Sequence, residues 1–547
     1  MSGEPASPWS VRAAWVLVAG CWLYLFTWNV RLNNPNERTR ALQARAILEN
    51  GELRIGERFR DAAGRLRVRD LYGRVHGGIF VNDVALVCRT PGPDCEGDLY
   101  PAKAPGTALL GLPVLAAAYL CGAVEPGPAG EMDAVWWLRY GGVALPVFLC
   151  LLLLSRLLGA CGLAPDERTR VVLACALGTS VFPYAIMFVG HALAGAALLA
   201  GTGLLVEARR SRRQALSWSL AAGAVSAYAV LLEYHAVVGL LVIGTWAVVS
   251  PARRRLVPGF AAGGMLIGAL FCWLHASMFG HPLRTGHFFL VSSHNVISQS
   301  TGFLGLSHPH AGALGELVFG TYMGLGPIMP WLLLGFLAGA PVLGRRMGKL
   351  PLGAGLTLVA IVVVYVLLVS SMDKWRMMNG WSIGPRYLVP AVLPMAFVAG
   401  IGWQWLRRFN AWLGAVLSGL AAASLVILAA LTAVFPQPPE WVANPFAELA
   451  VPLLTEGYGV RNAGAWLGLG PFGLLPFGLM IASAFGWLCW PPGRARPGRR
   501  WALFALSLAV ALAWTLALGC FQPSEEQARS SGQAFVRSMS EGQGGGR

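Results

Sequence analysis

Residues 352–370 read Leu-Gly-Ala-Gly-Leu-Thr-Leu-Val-Ala-Ile-Val-Val-Val-Tyr-Val-Leu-Leu-Val-Ser, an apolar run without one charge. A helix of that length rises about 28 Å, enough to cross a hydrocarbon core about 30 Å thick. Runs of this kind recur from end to end of the 547 residues, of which 56% are hydrophobic and 12% charged. Soluble chains carry about 25% charged residues. The reading is an all-α polytopic membrane protein with about thirteen spans. They fall at residues 11–30, 135–155, 171–189, 192–206, 217–232, 236–250, 256–276, 317–340, 352–370, 388–406, 411–435, 467–490 and 501–521.

The net charge of +16 resembles a nucleic-acid footprint until the arginines are placed. They come in short bursts between apolar runs: Arg209-Arg210, Arg253-Arg254-Arg255, Arg345-Arg346 with Lys349, Arg407-Arg408, and Arg494 to Arg500. Short cytoplasmic loops carry this bias, so the basic excess is a topology signal and nucleic acid is excluded as a partner. The N-terminus is then cytoplasmic and residues 31–134 form a large first extracytoplasmic loop. Residues 1–30 hold the first span, 135–406 a transmembrane core and 407–521 further C-terminal spans. Residues 522–547 read as a disordered low-complexity tail.

Ten of the 26 acidic residues fall between positions 31 and 105, so that loop is where chemistry is sought. Within it, Asn34 reads as a helix N-cap, Pro35 as the first helical residue and Gly51 as the stop. Glu37 has two readings: a capping-box carboxylate, or a general base at the mouth of the bundle. The apolar run 107–121 is short and holds Pro113, and counting it as a span inverts the charge bookkeeping, so it reads as a juxtamembrane helix. Lys103, just before it, is either a lipid-snorkelling cation or a phosphate ligand. Arg386, in Gly384-Pro385-Arg386-Tyr387, is an interfacial anchor beside Tyr387 and Trp381 or a bidentate phosphate ligand. Cys88 and Cys95 form a disulfide if the loop is outside the cytoplasm, or remain two thiols. All nine histidines fall in the outer half, without metal-ligand spacing, and there is no Walker loop.

Taken together these residues resemble the polyprenyl-phosphate-sugar-dependent membrane glycosyltransferases of the C-type superfold, which include the lipid A aminoarabinose transferase and protein O-mannosyltransferases. The carriers are Asn36-Glu37-Arg38, Tyr100–Gly106, Gly178–Tyr184 with Gly190-His191, and Gly384–Pro390. The resemblance implies transfer of a sugar, with inversion, from a polyprenyl-phosphate donor to an extracytoplasmic lipid, glycan or protein acceptor at the cell (inner) membrane. It implies Glu37 as the catalytic carboxylate. Lys103 and Arg386 become phosphate contacts, with Tyr100, Arg38, His191 and Tyr387 as further substrate-binding residues. The lipid-linked sugar is the co-substrate; no metal ligand is assigned, and a divalent ion stays open. Two departures stand out: many members carry an aspartate where this chain has His191, and the aspartate-bearing motif reads Glu at 37. A polysaccharide ligase or polymerase is one alternative. A transporter or flippase is another, although it calls for paired ionisable groups at mid-membrane and broken helices in symmetric halves.

Overall fold

The computed structural model describes residues 8–25, 34–89, 92, 94–343, 350–491 and 496–541. Among them are nine helices long and apolar enough to cross a membrane, not thirteen. They are Pro128–Ala160, His191–Arg210, Ala215–Leu232, Arg253–Phe279, Leu352–Ser370, Arg386–Phe409, Ala411–Val434, Gly470–Cys489 and Pro497–Cys520. Arg386–Phe409 is the axis of the bundle, with 94% of its apolar window buried against 17% for Arg253–Phe279 at the rim. That outer helix packs on Ala215–Leu232 through small residues: a Cβ on Gly263 would run into the Leu220 carbonyl.

The remaining four expected spans are short or broken. Residues 171–189 split at Gly178 into helices Pro165–Leu177 and Val181–Ala185, and 317–340 split at Gly320, Gly324 and Pro330. Residues 236–250 give the 13-residue helix Val237–Val249, and the first helix, Pro8–Tyr24, has 17 residues before the described chain stops at residue 25. Hydropathy counts apolar atoms, whereas a span also needs an uninterrupted hydrogen-bond ladder. The basic bursts at 345–349 and Arg494, the prolines Pro91 and Pro93, and the Gly-Gly-Gly-Arg terminus lie outside the described residues.

The loop 31–134 is not all helix. Five strands, β1 (Gly56–Arg60), β2 (Leu66–Asp70), β3 (Val75–His76), β4 (Val84–Cys88) and β5 (Gly97–Pro101), form one antiparallel sheet in the order β3-β2-β1-β5-β4. Two hairpins use the same turn. Asp61 Oδ1 accepts from the Ala63 and Arg65 amides and Asp70 Oδ1 from those of Tyr72 and Arg74, each turn closing through a glycine at φ +73° or +78°. Cys88 and Cys95 are disulfide-bonded, their Cα atoms 5.6 Å apart, which ties β4 to the approach to β5. The sheet core (Ile55, Val68, Val84, Leu86, Leu99) closes over Leu42 and Ala46. The sheet is therefore seated on helix Pro35–Arg45, not hanging free. The apolar run 107–121 forms the helix Gly106–Leu120, whose 15 residues make it shorter than the nine long helices.

The tail also departs from expectation: Glu526–Glu541 is a helix. Its composition is polar, but Gly532, Phe535, Val536 and Met539 recur at helical spacing and make a narrow apolar stripe.

Candidate active site

Helix Pro35–Arg45 is the organising element. Asn34 caps it as expected, accepting from the Asn36 amide at 3.0 Å and the Glu37 amide at 3.5 Å. Three charged side chains then staple the helix to the bundle. Glu37 receives Arg139 Nε at 2.5 Å, Arg139 Nη2 at 2.6 Å and the Phe188 amide at 2.6 Å. Arg40 reaches Glu233 at 2.8 Å and the Thr107 hydroxyl at 3.0 Å. Arg45 donates to Glu49 at 2.5 Å and to the carbonyl of Gly127 at 2.6 Å.

That geometry places Glu37 inside an ion pair and away from the cavities. Its carboxylate is 1% exposed, both oxygens are engaged, and it lines neither of the cavities described below. It does not close a capping box either. Asn36, one residue earlier and about 100° round the helix, is the side chain that faces the cavities. Arg38 and Tyr100 also stand apart. Arg38 lies 3.7 Å from Glu131 and donates to the Phe80 carbonyl, and Tyr100 packs edge-on against Phe279. Both serve the seating of the sheet.

Two cavities meet beneath the sheet. The first, about 250 Å³, combines charged lining from Lys103, Glu233 and Arg386 with apolar lining from Val237, Val238, Leu368 and Met372. The second, about 400 Å³, has a wall of amides from Asn34, Asn36, Asn82, Asn295 and Gln437, and an apolar wall from Trp381, Phe535 and Met539. Among the described residues, Asn36, His191 and Arg386 line both. Of the expected substrate-binding residues, Lys103, His191, Arg386 and Tyr387 are brought together here.

Asp83, which sequence reasoning counted but did not single out, sits at the junction. Its Oδ1 accepts from Asn295 Nδ2 at 3.0 Å and lies 3.4 Å from Lys103 Nζ. Burial alone raises its pKa, but Lys103 and Arg386 outweigh burial and hold the carboxyl below the usual aspartate range. Asp83 is therefore ionised at neutral pH. The clue in the sequence is its setting: Asn82-Asp83 interrupts the apolar stretch from Ile79 to Val87.

Arg386 is aimed by its local backbone. Gly384 takes φ +75°, Pro385 follows, and one helical turn, Arg386–Leu388, leads into the axial helix. Its Nε donates to the Met378 carbonyl at 2.6 Å and the Asn379 amide oxygen accepts from the Tyr387 backbone at 3.2 Å. Trp381 holds φ +56°, a left-handed conformation costing about 1 kcal/mol or more for a bulky residue, fastened by its amide donating to Tyr322 Oη at 2.9 Å.

Behind the junction, Glu233 Oε1 lies 3.6 Å from His191 Nδ1. Burial drives the Glu233 pKa up, but Arg40, with His191 and His235, overrides it and brings the carboxyl to about 2. His287 is driven the other way, down to about 4, first by burial and then by Lys103. Among the described residues no three His, Cys, Asp or Glu side chains converge as metal ligands would.

No family model matches the chain, and no curated protein matches it in sequence. Solved structures do match in fold. The archaeal oligosaccharyltransferase AglB from Archaeoglobus fulgidus, in complex with an inhibitory peptide and a dolichol-phosphate, superposes with TM-score 0.50 at 11% identity, over 97% of this chain and 68% of its own. ArnT from Cupriavidus metallidurans matches at TM-score 0.46 and 15% identity in the apo state, over 93% of this chain and 76% of its own. Bound to undecaprenyl phosphate it matches at 0.44 and 14%, over 93% and 78%. The chain thus shares its overall fold with AglB. With several membrane-spanning helices, it is a multi-pass membrane protein.

Proposed function

We propose that the chain is a membrane glycosyltransferase that moves a sugar from a polyprenyl-phosphate donor to an extracytoplasmic acceptor. The observation that carries this reading is the junction itself. Two cations, Lys103 and Arg386, and one ionised carboxylate, Asp83, converge where an apolar cavity meets an amide-lined one. An apolar cavity with cations in its lining suits a lipid phosphate; an amide-lined chamber suits a hydroxyl-bearing acceptor. AglB, alike in fold, was captured with a dolichol-phosphate, a lipid of this chemistry.

In this reading the donor phosphate lies between Lys103 and Arg386, the latter able to bind two phosphate oxygens at once. Its arrival draws Lys103 away from Asp83. Asp83 accepts the proton of the attacking group, in the role that the sequence suggested for Glu37. The nucleophile adds to the anomeric carbon as the bond to the lipid phosphate oxygen breaks, inverting that carbon. Charge accumulating on the departing phosphate is met by the two cations. Asn36 and His191, shared by both cavities, border the sugar.

The test is reconstitution in nanodiscs with a panel of polyprenyl-phosphate sugars. Transfer is expected as release of the polyprenyl phosphate coupled to a new glycosidic bond. Movement of a lipid-linked sugar across vesicles without bond exchange would overturn the reading and favour a flippase.

A further inference from the structure

Two side chains of the helix Glu526–Glu541, Phe535 and Met539, line the amide-walled chamber with Asn36, Asp83 and Arg386. The helix is firmly docked. Ser524, just before it, donates to Glu448 at 2.7 Å from Oγ and 2.8 Å from its amide, and Gln533 Nε2 donates to the Glu448 carbonyl at 2.9 Å. Arg537 is bidentate on Glu456 at 2.7 and 2.8 Å. A Cβ on Gly532 would come within 2.6 Å of Val442, so the helix sits close against the bundle there, and Val536 is fully buried. Phe535 stands edge-on to Trp381 at 5.3 Å, the residue held in the left-handed conformation.

The chamber therefore has two unlike kinds of lining. Asn34, Asn36, Asn82 and Asn295 present amide donors and acceptors, and among the described residues Asn36 Oδ1 is buried without a hydrogen-bond partner. Trp381, Phe535 and Met539 line the same chamber with apolar surface. A ring with hydroxyls around its edge and C–H bonds on its face satisfies both, whereas a charged or purely aliphatic group satisfies one.

We propose that the C-terminal helix is the acceptor-side wall of the chamber and that Phe535 and Met539 set the bulk of the polyhydroxylated ring it admits. This rests on the reading that the chamber receives the acceptor.

The full-length chain tests it, with its free cysteines replaced and Gln437, which lines the same chamber, changed to Cys. A short methanethiosulfonate should modify Cys at that position readily, and a polyethylene-glycol maleimide poorly. Changing Phe535→Ala and Met539→Ala together should raise the bulky reagent's rate by about tenfold, in the range of apolar-pocket discrimination, and leave the short reagent's rate unchanged. Met539→Leu should behave as the parent. Equal rates for both reagents in the parent, or no gain in the double variant, would overturn the proposal. So would a gain shared by both reagents, which marks a helix that has simply come loose. Undecaprenyl phosphate binding, followed in the same samples, separates the two claims. Its absence in the parent refutes the donor reading without altering the thiol rates.

Discussion

Glu37 with Arg139 and Asp83 with Lys103 are both buried carboxylate–cation pairs at the same end of the bundle, and their surroundings give them different work. Glu37 has Arg139 across both oxygens at 2.5 and 2.6 Å and a backbone amide besides, so it has nothing left to offer a substrate. Asp83 meets Lys103 at a looser 3.4 Å through one oxygen, and both residues border cavities. A saturated pair fixes three segments of chain. An unsaturated pair beside a cavity can exchange its cation for a ligand phosphate and keep an oxygen for a proton.

Single substitutions test that contrast and the surroundings of the two pairs. The largest effect on chemistry is expected from Asp83→Asn, which removes a proton acceptor worth about 10²–10⁴ in rate while keeping the side chain's shape and its contact with Asn295. The largest effect on stability is expected from Glu37→Gln. Breaking a buried pair strands Arg139 and costs about 3–5 kcal/mol, read as a lowered midpoint in thermal unfolding. Adding Arg139→Met should restore part of it. If Glu37→Gln unfolds like the parent, the sealed-staple account is wrong.

Arg386→Lys comes next. It keeps the charge and loses the fork, so affinity for undecaprenyl phosphate should fall about tenfold, measured by competition binding. Arg38→Ala and Tyr100→Phe should leave that affinity within about twofold, since they seat the sheet and line neither cavity. The smallest effect concerns acid. His287 has a folded-state pKa of about 4, below the ordinary histidine value of about 6.5, so the unfolded chain takes up a proton that the folded chain refuses. Its neutral form supports stability above about pH 6.5, and that support is lost as pH falls toward 4. His287→Gln should flatten this part of the stability–pH curve.

Much of this architecture is legible in the chain. The nine long helices follow from apolar runs, and the cap at Asn34 and the stop at Gly51 follow from local backbone preferences. Lys103 and Arg386 stand beside prolines at the ends of apolar runs, where an anchoring cation and a ligand look alike in sequence, and only the fold brings them to one cavity. The breaks at Gly178 and at Gly320–Pro330 are not legible from hydropathy, because an apolar segment buried inside a bundle looks the same whether or not it is continuous. The sheet was missed although its two Asp-x-x-Gly-Arg turns, at Asp61 and Asp70, recur nine residues apart; the charges around them mask the alternation.

The surroundings of Glu37 are hidden for another reason. Position in a motif fixes which helix a residue occupies, but its partner Arg139 lies 102 positions away and only packing brings it there. The pairing of Asp83 with Lys103, and the return of Phe535 to the chamber from the far end of the chain, are long-range in the same way. The C-terminal helix also carries only a narrow apolar stripe, which composition averages away.

The proposed function assigns the chemistry to Asp83 and not to Glu37. It is tested most directly by comparing sugar release from a polyprenyl-phosphate donor by Asp83→Asn and Glu37→Gln, each normalised to the amount of folded protein in nanodiscs. The account predicts that Asp83→Asn binds undecaprenyl phosphate yet turns over at least about a hundredfold more slowly, whereas folded Glu37→Gln stays within about tenfold of the parent. Full turnover by Asp83→Asn, or turnover abolished in well-folded Glu37→Gln, would contradict it.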